Sequence, residues 1–175
     1  MFTKKGIAVT IVGACLVAST PVGAAEPVYL TVRGQKSGDI KGDVTQRGRE
    51  GSMEVTKLEL GSSSSGGVRK WDSLKITKRV DQATPLLLNA YFTNETLTNA
   101  TLKLWRPQAN GVEEQFMTIT LQNAQIVGDR IVNDATTSAE GHVAQSLPVE
   151  ELAFTFQKIT VTYTNGGKTA SDDWR

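Results

Sequence analysis

The chain has 175 residues, enough for one domain of ordinary size whose core needs neither disulfides nor metal. With 39% apolar, 6% aromatic and 21% charged residues, its composition excludes a disordered chain and a membrane-filling one. The formal charge is +1, and without Lys4 and Lys5 it becomes 17 basic against 18 acidic residues, or −1; this excludes the basic excess of a nucleic-acid binder and leaves little repulsion between packed copies.

The N-terminus reads as a secretory signal peptide over residues 1–25. Lys4 and Lys5 form a charged region, residues 6–17 are apolar apart from Thr10, and Thr20 and Pro21 loosen the segment. Val22-Gly23-Ala24 and Gly23-Ala24-Ala25 both offer small residues for cleavage, so the processed chain is expected to begin near Ala25 or Glu26. The apolar run is shorter than the roughly 20 residues that span a bilayer, which argues against a membrane anchor. Cys15, after Val12-Gly13-Ala14, loosely resembles a lipoprotein processing box and offers a second route, acylation. Cleavage after Ala24 or Ala25 removes the single cysteine, and with it thiol and disulfide chemistry.

From residue 26 to 175 one β-rich domain is expected. Residues 28–33 form a short strand; 34–51, with five glycines at its turns, is a loop with room for a brief hairpin. Residues 53–60 alternate as a strand. Residues 61–72, with four serines and Gly66-Gly67, read as an exposed flexible loop. In 74–80, Leu74, Ile76 and Val80 share one face. One helix is expected over about 84–94, with Thr84 as its cap, Pro85 at its first position, and Leu87, Leu88, Tyr91 and Phe92 on its packed side. Strands follow at 98–106 and 114–121, with 122–132 as a continuing or neighbouring strand. Residues 133–147 are polar and turn-like. Leu152, Phe154 and Phe156 share a face, but Ile159, Val161 and Tyr163 continue with opposite parity, which requires a bulge or break near Gln157-Lys158. A polar tail starts at Gly166-Gly167. The fold class is mainly β: a small β-barrel of two antiparallel sheets with one flanking α-helix.

Residues suited to chemistry are few, and no catalytic, cofactor-binding or metal-ligating residue is assigned. His142 is the one histidine, with only Asp134 and Glu140 nearby in sequence, and reads as an exposed loop residue. Glu150-Glu151 and Asp172-Asp173 are neighbours on strands; each pair points to opposite faces and reads as solvated charge. The glycine–serine segment near Ser62 lacks the Gly-Lys-Ser/Thr ending of a phosphate loop. Trp105 reads as structural, whereas Trp71 and Trp174 border exposed segments, where packing and a contact surface stand as equal readings.

The stretch from Ile76 to Leu87, Ile-Thr-Lys-Arg-Val-Asp-Gln-Ala-Thr-Pro-Leu-Leu, resembles the strand-to-helix signature of the haemolysin-coregulated (Hcp) tube proteins of type VI secretion. Val28-Tyr29-Leu30 resembles the family's opening strand, Gly48-Arg49-Glu50-Gly51 before Met53-Glu54-Val55 its entry to the second, and residues 118–126 its central pair. Residues 154–163 are similar to its closing strands and Asp172-Asp173-Trp174 to a frequent ending, so the resemblance runs in order through nearly all of 28–174. It implies a barrel with a flanking helix, six copies in a ring, and rings stacked into a tube that a contracting sheath expels with effectors. It also implies that the 61–72 segment reaches a neighbouring ring and that strand edges meet between subunits. No cofactor, nucleic acid or small-molecule substrate is implied. A signal peptide departs from the family's cytoplasmic assembly, which keeps open a second reading: an exported periplasmic or surface binding module, acylated at Cys15 or not, with no tube role.

Overall fold

A computed structural model describes residues 26–173 apart from 109, 134, 138–142 and 146. Its strands are β1 (Val28–Gly34), β2 (Gly38–Ile40), β3 (Met53–Glu59), β4 (Ser62–Ser65), β5 (Val68–Trp71) and β6 (Leu74–Arg79). Helix α1 (Thr84–Phe92) follows, then β7 (Leu97–Pro107), β8 (Glu113–Val132), β9 (Ala135–Thr137), β10 (Val143–Gln145), β11 (Val149–Thr155), β12 (Lys158–Tyr163) and β13 (Lys168–Asp173). The ladder runs β11-β6-β3-β1-β7-β8 and returns to β11 through the second half of β8, so six antiparallel strands close a barrel. β12 pairs with the first half of β8 and carries β13 beyond the closure; β2 folds back on β1. The fold is mainly β with one short helix, as the alternating sequence predicts.

Closure works because each strand turns its apolar alternate inward. Leu30, Val32, Met53, Leu74, Ile76, Leu102, Leu121, Leu152, Phe154 and Ile159 are all buried in one continuous core. Burying such a side chain is worth about 1.5–3 kcal/mol. Curvature comes from register shifts, which bend a strand and turn the residues beyond the shift to the other face. They fall at Arg33/Gly34, at Val55/Lys57, at Leu104/Trp105 and at Ala153/Phe154, where Val127 of β8 is the extra residue. The long β8 bends again at Asn123, whose φ of 48° lies in the left-handed region. The break expected near Gln157-Lys158 is present: β11 ends at Thr155 and β12 starts at Lys158.

Several local expectations are corrected. Residues 61–72 are not a flexible loop but the hairpin β4–β5, a two-stranded sheet of its own. The polar tail after Gly167 forms β13, fully registered on β12. Backbone pairing and polar cross-strand contacts such as Thr162–Thr169 organise both, so neither shows hydrophobic alternation. The expected turn-like stretch 133–147 includes the paired strands β9 and β10. Thr84 is not the helix cap: Ala83 holds that position, and Asp81 accepts the Ala83 N–H at 3.0 Å. Thr84 is instead buried in the first turn, its hydroxyl drawn to Glu150. On α1, Leu87 and Ala90 are buried and Leu88 and Tyr91 half-buried, but Phe92 is 71% exposed. Val80, expected to share the inward face of Leu74, lies beyond the end of β6 and is exposed.

Candidate assembly surface

The most prominent exposed element is the β4–β5 hairpin. Gly66 and Gly67 both have positive φ, 59° and 81°, the requirement of a two-residue turn that matches strand twist. Every residue from Ser62 to Lys70 is exposed; the hairpin is held mainly at its base, with a further 4.0 Å ion pair from Arg69 to Asp172 of β13. There Asp72 N–H donates to Gly61 O at 3.0 Å and Trp71 Nε1–H donates to Asp172 Oδ2 at 3.0 Å. The Trp71 ring meets Phe156 edge-on, centroids 6.0 Å apart. Of the two readings open for Trp71, packing therefore holds: it moors the hairpin to β13 and the β11–β12 junction. Trp105 is structural, as expected.

The segment 41–52 is pinned by Arg49. Its guanidinium lies 3.8 Å from the Trp105 ring centre and 4.7 Å from that of Tyr29. Its Nη1 donates to the Tyr29 hydroxyl at 3.0 Å, and its Nη2 pairs with Glu113 at 2.6 Å. Burial works against the charge, but the bonds to Glu113 and Tyr29 outweigh it and hold the Arg49 pKa above its ordinary value. One cation thus ties the second-strand entry to β1, β7 and β8. The sequence displays Arg49 inside a resembling motif but not this role, because, Gln46 apart, its partners lie 20 to 64 residues away.

A buried carboxylate, Glu95, closes the β1–β2 turn. It accepts the Lys36 and Ser37 N–H groups at 2.7 Å each and the Ser37 hydroxyl at 2.6 Å. A Cβ on Gly34 would run into Glu95 Oε1, so a glycine there makes the approach feasible.

Charge is also buried inside the barrel. Lys78 on β6 faces Glu150 on β11 directly across the ladder, and both side chains are 0% exposed. Lys78 Nζ lies 2.7 Å from Glu150 Oε2 and 2.8 Å from Asp81 Oδ1; it also donates to the Arg79 carbonyl at 2.8 Å and to Thr84 Oγ1 at 3.2 Å. The Thr84 hydroxyl donates to Glu150 at 2.7 Å, so one network joins β6, β11 and the start of α1. Reading Glu150-Glu151 as solvated charge is therefore corrected for Glu150: its strand position faces the core, where Lys78 and the Thr84 hydroxyl make the charge tolerable. Glu151 points outward to Arg130 at 2.7 Å.

Asp172 is drawn partly inward by Trp71, so its charge is not simply solvated. His142, Asp134, Glu140, Trp174 and Cys15 lie outside the described residues, as does the whole of 1–25. Among the described residues, no group of three or more His, Cys, Asp or Glu could hold a metal ion, and no helix is long and apolar enough to cross a membrane. The outward groups are instead the hairpin, with Val68 near its tip, the α1 side chains Leu86 and Phe92, and the β13 strand. An extended barrel with a projecting arm and exposed apolar side chains suits contact with other protein surfaces.

Known proteins are similar to this chain in sequence and in fold. Residues 29–163 match the family model described as type VI secretion system effector, Hcp. The major exported protein of Pseudomonas aeruginosa is 30% identical over 169 residues, covering 86% of this chain and 96% of that protein. A secreted Hcp protein of Pseudomonas aeruginosa superposes with a TM-score of 0.70 at 31% identity, over 86% of this chain and 99% of the other. An Hcp protein of the E. coli EAEC 042 pathovar superposes at 0.69 with 30% identity and the same coverage. Sequence similarity, overall superposition and chain coverage agree, and the chain belongs to the Hcp family of type VI secretion effectors.

Proposed function

We propose that this protein is a structural, non-catalytic subunit that assembles with itself into six-membered rings, which stack into a tube of the type VI kind and can carry secreted effectors. The observation that carries this reading is the β4–β5 hairpin, an ordered arm with every residue from Ser62 to Lys70 exposed, moored to β13 through Trp71 and Arg69 and open to a neighbour on its outer side. Membership of the Hcp family supports it, as does the near-zero net charge, which permits like copies to pack. Native mass measurement or light scattering tests it: the expected species is six times the protomer mass, with longer stacks at high concentration. A strict monomer at high concentration overturns it.

Export is proposed on sequence grounds. Residues 1–25 serve as a signal peptide cleaved near Ala24 or Ala25, leaving 26–175 as the barrel domain, with acylation at Cys15 as the other route. Mass spectrometry of the mature N-terminus, together with the cell fraction that holds it, decides between them. An intact N-terminus in the cytoplasm removes the export reading and leaves the ring.

A further inference from the structure

The seam where β8 meets β11 is the step that closes the barrel, and it contains a charge arrangement the fold does not need. The register shift at Val127 turns Asp129 to the same face as Ile126, so Asp129 points inward opposite Leu152 and diagonal to Glu150. There the Asp129 and Glu150 side chains are diagonal neighbours on one face of the ladder, a spacing that long side chains can bridge. Among the described residues, neither oxygen of Asp129 nor Oε1 of Glu150 meets any other donor, although all three atoms are buried. Two carboxylates cannot face each other there without a proton between them.

We propose that Asp129 and Glu150 form a proton-held latch on the closing seam: one shared proton keeps β8 and β11 zipped, and its loss loosens them.

The surrounding charges define how the latch works. On β6, Lys78 is committed to Glu150 Oε2 and Asp81. Lys75 of β6 and Lys57 and Glu59 of β3 line a groove at this seam, together with Asp129 itself, Gly128 and Ala153. Arg130 on β8 pairs with Glu151 on β11, across the opposite face. Helix α1 has no acidic residue in its first turn and no basic residue in its last. Among the described residues, Lys78 is thus the only cation in the inner network, set against three carboxyls, Asp81, Asp129 and Glu150. Burial first, then the Glu150 charge and its hydrogen bond, push the Asp129 pKa up to about 6, against a smaller opposing pull from Lys78. A carboxyl raised in the closed state binds its proton more tightly there than in an opened seam. The closed seam is therefore favoured at low pH and loses ground as pH rises from about 4 to about 6, by at most about tenfold in the opening constant per pH unit. Above that window the dependence is flat.

Amide hydrogen exchange on the full chain tests the latch, with protection corrected for intrinsic rates at about pH 4 and about pH 6.5. The expected result is at least a tenfold loss of protection (about one pH unit of linkage) in residues 126–132 and 149–155, with the β1–β7 ladder unchanged. Asp129→Asn, which can donate to Glu150 without titrating, is expected to abolish that loss. Equal seam protection at both pH values, or the same loss in Asp129→Asn, overturns the proposal. Should the variant not fold, an infrared titration of wild-type carboxyl groups decides: a protonated, buried carboxyl disappearing near pH 6 supports the latch. A titration with no carboxyl ionising above the ordinary range, every one being deprotonated by about pH 5.5, overturns it.

Discussion

The side-chain amide of Asn123 donates to Gln157 Oε1 at 2.7 Å and joins the two places where neighbouring strands turn their faces over. On β8, the buried series changes parity from Ile119 and Leu121 to Ala124 and Ile126. On the adjacent chain segment it changes from Phe154 and Phe156 to Ile159. The backbone confirms the pairing, because Gln157 N–H donates to Gln122 O at 3.1 Å. The two kinks therefore sit at one level of the barrel, where β8 passes from β12 to β11 as its partner.

That coincidence makes Asn123 a position with two requirements, a left-handed backbone and a side-chain donor. Asn123→Ala loses both and should cost about 2–3 kcal/mol, from a left-handed penalty of about 1–2 and a hydrogen bond of about 1. Asn123→Gly keeps the backbone freedom and should cost less than Asn123→Ala. Urea denaturation midpoints at constant slope check the order; an alanine variant as stable as wild type would contradict the kink's role.

Lys78 and Glu150 oppose each other fully buried, so removing one strands the other. Lys78→Met should destabilise the barrel by about 3–5 kcal/mol, because it leaves buried carboxylates without their cation. The double change Lys78→Met with Glu150→Leu should recover most of that loss, since a buried pair is often no better than an apolar pair of similar volume. A double-mutant cycle in denaturant reads the coupling; additive losses would show that the two charges do not act together.

The hairpin's root predicts a local effect without global unfolding. Asp172→Ala removes the acceptor for Trp71 Nε1–H, worth about 1.5–3 kcal/mol for a bond to a charged group, and frees β4–β5 from β13. Limited proteolysis at the Gly66-Gly67 turn should speed up while the thermal midpoint changes by only a few degrees. On the proposed assembly, rings should persist and stacks should shorten. Unchanged cleavage would mean that Trp71 packing against Phe156 suffices by itself.

Glu95 gives an acid limit. Burial alone would raise its carboxyl, but the Ser37 hydroxyl and the Ser37 and Lys36 N–H groups outweigh that and hold its pKa below the ordinary value. A depressed folded pKa contributes stability that is complete above the unfolded pKa and is lost as pH falls through the folded one. The wild type should therefore lose stability in the range below about pH 4, under the window in which Asp129 acts. Glu95→Gln should already be less stable at neutral pH and show a shallower acid loss. Gly34→Ala should disturb the same turn through its clash with Glu95, and chemical denaturation across pH compares all three.

Chain order alone determined the period-two alternation of the barrel strands, the single proline-started helix, and the parity break before Lys158. These are local statements, because a side chain's face follows from its neighbours one and two residues away. The same alternation already placed Lys78 with Leu74 and Ile76, and Glu150 with Leu152 and Phe154. What it could not decide was whether those charges would be buried, because the answer depends on the register that sets Lys78 opposite Glu150, 72 residues apart. The polar strands β4, β5 and β13 were equally out of reach, since backbone hydrogen bonds to a partner hold them and no apolar pattern of their own marks them. Arg49 and Glu95 obey the same rule: a buried ion is stable only where distant chain segments bring it donors, acceptors or an aromatic face, and tertiary structure alone supplies those.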